Sequence, residues 1–87
     1  MLNNTVLVGK IKGVLQNFME VDVQNKDNED VYDTVPVELS KNLYETIYKY
    51  NKLGDLVGVK GRLANKDGRL VVVADKITLL SSMKGGD

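Results

Sequence analysis

Lys10 and Lys12, Lys60 and Arg62, and then Lys66 and Arg69 have the residue types and spacing of a working surface in this 87-residue chain. The first two pairs are each two residues apart, so in an extended strand both side chains leave by the same face. Cations arranged in this way can follow a phosphate backbone and displace its counterions, a mode of binding that weakens steeply with salt. The same placement also keeps a strand edge soluble with no ligand at all. Phe18 and Tyr32 are the aromatic residues expected to point outward from strands. Each offers a ring on which a base can stack, or against which a neighbouring strand, loop or second subunit can pack. Tyr44, Tyr48 and Tyr50 fall in a stretch of helical period and are expected to pack that helix.

Other chemistries find few residues. The chain has no histidine and no cysteine, which removes the usual near-neutral acid/base and the thiolate nucleophile. The expectation is a protein that is not an enzyme, with no catalytic, cofactor or metal residues. Glu20/Asp22 and Asp27/Glu29/Asp30 are carboxylate groupings, but they lack the central glycine and terminal glutamate of an EF-hand loop and read as solvated acids. Gly9-Lys10 has Asn4 where a phosphate loop needs its first glycine and Ile11 where it needs Ser or Thr. Gly58-Val59-Lys60-Gly61 has the form of a backbone-clamping GxxG loop, yet it lies inside an alternating strand pattern.

The charges balance to zero, so bulk positive charge is not available to attract a polyanion. Their distribution is uneven. Residues 20–45 hold eight carboxylates against Lys26 and Lys41, and the remainder of the chain holds ten bases against four acids. A basic surface built from the first strand and the last two is therefore available. Apolar runs fall well short of the roughly 18 residues of a membrane span, and no signal-peptide pattern opens the sequence, so the expected location is the cytoplasm, with no membrane partner.

The elements that must carry these residues follow from periodicity. Asn4–Leu15 reads as one long strand bent near Gly9 and Gly13. Phe18–Gln24 alternates, with Met19, Val21 and Val23 inward and Phe18, Glu20, Asp22 and Gln24 outward. A turn rich in Asn and Asp spans residues 25–30. Val31–Leu39 resumes the alternation with Val31, Val35, Val37 and Leu39 inward and Tyr32, Thr34 and Glu38 outward, and Pro36 calls for an unpaired edge or a bulge. From Ser40 to about Tyr50 the apolar residues Leu43, Ile47 and Tyr50 take helical spacing, with Ser40 or Asn42 as N-cap. Gly54–Leu63, the turn Asn65–Gly68 and Arg69–Leu80 form a hairpin, in which the internal glycines mark a bulge, a bend or a close backbone approach.

Three strands, a helix and two strands give an all-β chain with one short helix, the order of a five-stranded OB-fold Greek-key barrel with its helix between strands 3 and 4. The domain is expected over residues 1–80, with a flexible tail at 81–87. Met1-Leu2-Asn3-Asn4-Thr5-Val6-Leu7-Val8-Gly9-Lys10-Ile11 resembles the opening strand of bacterial single-stranded DNA-binding proteins. Gly54-Asp55-Leu56-Val57-Gly58-Val59-Lys60-Gly61-Arg62-Leu63 and Val72-Val73-Ala74-Asp75-Lys76-Ile77 are similar to that family's fourth and fifth strands. The resemblance implies an OB-fold protein that binds single-stranded DNA, or RNA, without sequence preference and acts in replication, recombination or repair. It further implies a homo-oligomer, dimer or tetramer, and replication proteins as partners. The chain departs from the family in having no tryptophan and only a short turn between its last two strands. An acid-bearing second strand and zero net charge leave a second reading, an OB-fold protein-interaction module such as a primosome or helicase accessory subunit.

Overall fold

The computed structural model of the protein describes residues 3–80. Five strands and a helix follow one another: β1 (Thr5–Leu15), β2 (Phe18–Gln24), β3 (Tyr32–Glu38), α1 (Lys41–Tyr50), β4 (Leu56–Lys66) and β5 (Arg69–Leu79). They close into a barrel in the order β1, β2, β3, β5, β4, with β4 returning to β1. Neighbouring strands are antiparallel except β3 and β5, which run parallel through Val37↔Val72 and Glu38↔Val73. This is the OB topology expected from the order of elements. The tail assigned to residues 81–87 lies outside the described residues.

Strand β1 belongs to both walls of the barrel. Residues 5–10 pair with β4, residues 10–15 pair with β2, and Lys10 has a partner on each side. The ladder to β2 shifts between Ile11 and Gly13, which makes Lys12 the extra residue of a bulge at the bend. Gly9 has a different role from the bend expected there. A Cβ at Gly9 would overlap the carbonyl oxygen of Asp22, and one at Gly61 would overlap the carbonyl oxygen of Val73. Both positions let a curved barrel bring two backbones together.

Alternation fills the interior with Ile11, Met19, Val21, Val37, Leu39, Val57, Val59, Val72 and Ala74, and Ile47 of α1 closes on the same cluster. Leu43 and Tyr44 pack against it, so one face of the helix is held by the barrel. Ser40, not Asn42, is the N-cap: its hydroxyl oxygen accepts a hydrogen bond from the Leu43 N–H at 3.2 Å. Pro36 lies where β3 has not yet met β5, whose ladder begins at Val37, as its missing donor requires.

Three expectations change. Val31 is 43% exposed, not inward, because the polar turn takes its backbone: Val31 N–H donates to the Asn28 carbonyl, and the Val31 carbonyl accepts from Asn25 N–H. Tyr48 and Tyr50 are 75% and 64% exposed and do not join the core, the helix's buried side being filled by Leu43, Tyr44 and Ile47; Tyr48 touches this set only by stacking on Tyr44. The final turn is shorter than Asn65–Gly68. Strand pairing continues to Lys66↔Arg69, leaving Asp67 and Gly68 as a two-residue loop with φ of 54° and 81°. Positive φ at both central residues is the requirement of a type I′ hairpin turn.

Candidate nucleic-acid interface

A cleft of about 730 Å³ opens between the β1–β2 turn and the β4–β5 hairpin. Its shape begins with two local turns. At one side, Gln16 adopts a left-handed φ of 51° and Leu15 pairs with Phe18 around it. The Asn17 carbonyl accepts from Leu39 N–H at 2.7 Å, which ties the turn to the end of β3 and sets Phe18 beside Glu38 in the ladder. At the other side, the type I′ loop is held by the Asn65 Oδ1, which accepts from Gly68 N–H at 3.0 Å.

The cleft is apolar inside and charged at its rim. Phe18, Pro36 and Leu15 line it together with Val71, which is only 4% exposed although it lies near the end of a projecting hairpin. Lys66 and Arg69, with Glu20 and Asp67, supply charge. Lys66 Nζ also reaches Glu38 Oε1 at 3.5 Å, an ion pair between the hairpin and the end of β3. A half-buried aromatic ring with two cations across from it can accept a flat ring by stacking and its phosphates by charge.

Of the residues predicted from sequence, the fold brings Phe18, Lys66 and Arg69 together on this cleft. Lys12 stands at the bulge, next to Gly13, which lines the cleft. Lys10 is exposed in register with Asp22, and Arg62 is exposed opposite Val73. Lys60 sits between Val6 on β1 and Lys76 on β5, on the outer wall of β1, β4 and β5 and not among the cleft residues. Tyr32 is 46% exposed and pairs with Gln24, at the opposite end of β2 from Phe18. Six residues of strand separate the two rings by about 20 Å, too far for one base to touch both.

Between those rings the outer face of β2 carries Glu20 and Asp22, and Thr34 Oγ1 donates to Asp22 Oδ1 at 2.6 Å. This face repels phosphate. Pro36, Leu15 and Val71 were not singled out from sequence as cleft residues. Pro36 carried a faint signal, being two residues from Glu38 on the outward side of β3. The other two depend on barrel closure bringing the hairpin to the β1–β2 turn, which no local pattern encodes.

No protein-family model matches this chain, and no curated protein matches it in sequence. Solved structures do match in fold. A mitochondrial single-stranded DNA binding protein of S. cerevisiae, Rim1, superposes with a TM-score of 0.77 at 20% identity, over 92% of this chain and 96% of that one. The N-terminal domain of the PriB protein from Thermoanaerobacter tencongensis, described as dimeric, superposes with a TM-score of 0.73 at 23% identity, over 90% and 96% of the two chains. A second crystal form of Rim1 gives 0.71 at 19% identity, covering 92% of this chain and 94% of the other. The barrel order, the helix between β3 and β4 and these superpositions along nearly the whole chain make the protein an OB-fold protein.

Proposed function

We propose that the protein binds single-stranded DNA without sequence preference, acts in DNA replication, recombination or repair, and is not an enzyme. The observation that carries this reading is the cleft that gathers Phe18, Lys66 and Arg69 between the β1–β2 turn and the β4–β5 hairpin. Those two loops frame the face with which OB folds take oligonucleotides. The names borne by the Rim1 structures, single-stranded DNA binding proteins, support the same assignment. Stacking would supply affinity and the cations the salt dependence, with no base edge read. RNA offers the same rings and phosphates. The place of action would be the cytoplasm, on the nucleoid when bound to DNA.

Titration of labelled oligo-dT by fluorescence anisotropy at low and high salt tests this, with oligo-U as a parallel arm. Binding that weakens steeply with salt is expected; no binding at low salt removes the proposal.

A homo-oligomer, and after it the protein-interaction reading, is favoured by a separate observation. Strand β1 meets β2 only from Lys10 onward, so residues 5–9 have no strand on that edge among the described residues, and Val6 and Val8 beside it are 72% and 49% exposed. An apolar open edge is a template for another strand. The dimeric description of the PriB domain supports a second copy as the occupant. Sedimentation would report a dimer or tetramer. A pull-down from nuclease-treated lysate would recover replication proteins if the edge or another surface serves them, and the interaction-module reading fails if the protein binds DNA tightly and recovers no stoichiometric partner.

A further inference from the structure

The cleft has two exits, and they differ in charge. One runs along the outer face of β2 toward Tyr32 and passes Glu20 and Asp22, the latter with Lys10 in register beside it, before reaching the turn that bears Asp27, Glu29 and Asp30 against Lys26. The other crosses the β1 bulge. Gly13 and Val14 line the cleft and also line a second cavity of about 350 Å³, which continues to Tyr48, Asn51, Lys52 and Leu53 at the C-terminal end of α1. Gly13 puts no side chain between the two cavities, and a Cβ there would meet only Glu20 Oε1 at 3.5 Å, so this carboxylate stands beside the crossing.

The ground beyond this saddle is basic and aromatic. Tyr48 stacks on Tyr44 with centroids 5.9 Å apart and planes inclined by 28°, and the Tyr48 ring is 75% exposed. Lys12 precedes the saddle, Lys52 lines the second cavity, and Lys41 and Lys49 are exposed on the helix, which carries one acid, Glu45. Asp55 is also close, held by a hydrogen bond from Lys52 N–H to its Oδ2 at 2.9 Å. Asn51 lines the cavity as well, and both of its side-chain amide atoms are buried with no hydrogen-bond partner among the described residues. The fold thus leaves unsatisfied there a donor and an acceptor of the kind that base edges complement.

Resting on the function proposed above, we infer that the bound strand leaves the cleft over Gly13 and stacks a second base on Tyr48, and does not follow β2 to Tyr32. The lining that the two cavities share at Gly13 and Val14, and the exposed ring and lysines beyond it, select this route. Phosphates cross between Lys12 and Lys52, passing Glu20 beside Gly13, while the strand avoids Asp22 and the acidic turn at residues 25–30.

The test uses the full chain and two oligo-dT lengths, about 5 and about 15 nucleotides, within the range of sites that OB folds occupy. Tyr48→Ala is expected to weaken the longer oligomer by about fivefold to a hundredfold, the usual loss of one stacked base, while leaving the shorter one unchanged. Tyr48→Phe keeps the ring and should restore binding. Gly13→Leu, which alters the lining of both cavities, should impair the longer oligomer more than the shorter one, and Tyr32→Ala should affect neither. Thermal melts of each variant check folding. Equal loss on both lengths, no loss with Tyr48→Ala, or a loss on the longer oligomer with Tyr32→Ala overturns the route and leaves DNA binding standing. A wild-type protein that binds neither oligomer removes DNA binding and the route with it.

Discussion

Glu38→Gln is expected to tighten DNA binding, because Glu38 competes with phosphate for Lys66. The two groups lie 3.5 Å apart, with the lysine side chain 50% and the glutamate side chain 25% exposed. At an effective dielectric of about 20 their bare attraction would be roughly 5 kcal/mol. Solvent screening and the entropy of holding two long side chains reduce a pair this exposed to about 0.5–1 kcal/mol. Removing the competitor should therefore raise affinity about twofold to fivefold at low salt. The salt dependence should change too. In the wild type the freed Glu38 takes up a cation as the phosphate releases one, so the variant should steepen the slope of log affinity against log salt by up to about 0.7, the value for one single-strand phosphate. Anisotropy titrations at several salt concentrations, in the wild type, Glu38→Gln, Lys66→Ala and the double variant, provide the measurement. The decisive comparison is between backgrounds. If Glu38→Gln gains as much affinity with Lys66 absent as with it present, the carboxylate acts by general repulsion and the competition argued here is refuted.

Other consequences follow from particular contacts. Phe18→Ala should lower affinity for short and long oligo-dT alike, by the roughly 1–3 kcal/mol of one stacked base, read in the same titrations against a melting control. Gly61→Ala should destabilise the barrel by about 2–3 kcal/mol, since its Cβ overlaps the Val73 carbonyl and lies 3.0 Å from Ala74 Cα, whereas Gly58→Ala, whose Cβ meets only Leu80 Cδ1 at 3.7 Å, should be neutral or stabilising in urea unfolding. Ser40→Ala removes the acceptor for Leu43 N–H and should cost about 1 kcal/mol in the same assay.

Much of the barrel was legible because its signals are local. Alternation places Met19 and Val21 inward, and both are fully buried. Ser40 announces the helix, and Asp67-Gly68 announces a tight turn, since an Asp-Gly pair tolerates the two positive φ values that a two-residue hairpin demands. Val31 misled for an equally local reason: apolar type and parity matched the strand, but the Asn25–Val31 turn claimed its backbone. The exposed Tyr48 and Tyr50 escaped because a ten-residue helix has room for only one row against this barrel, filled by Leu43, Tyr44 and Ile47.

The charged surface was less legible. Lys10, Lys60 and Arg62 have the two-residue spacing of a strand face, yet the face of a closed barrel curves away from itself, and spacing along a strand does not say which wall that strand joins. Sequence by itself determined the five strands, the helix, most of the inward set of side chains and the Asp-Gly turn, because these rest on period and turn chemistry. Only the tertiary structure decided that Phe18 shares a cleft with Lys66 and Arg69, residues about 50 positions away, that Glu38 pairs with Lys66, and that Gly13 lines both this cleft and the cavity at Tyr48. These are facts of barrel closure, which sets the β4–β5 hairpin across a cleft from the β1–β2 turn, and no window of neighbouring residues contains them.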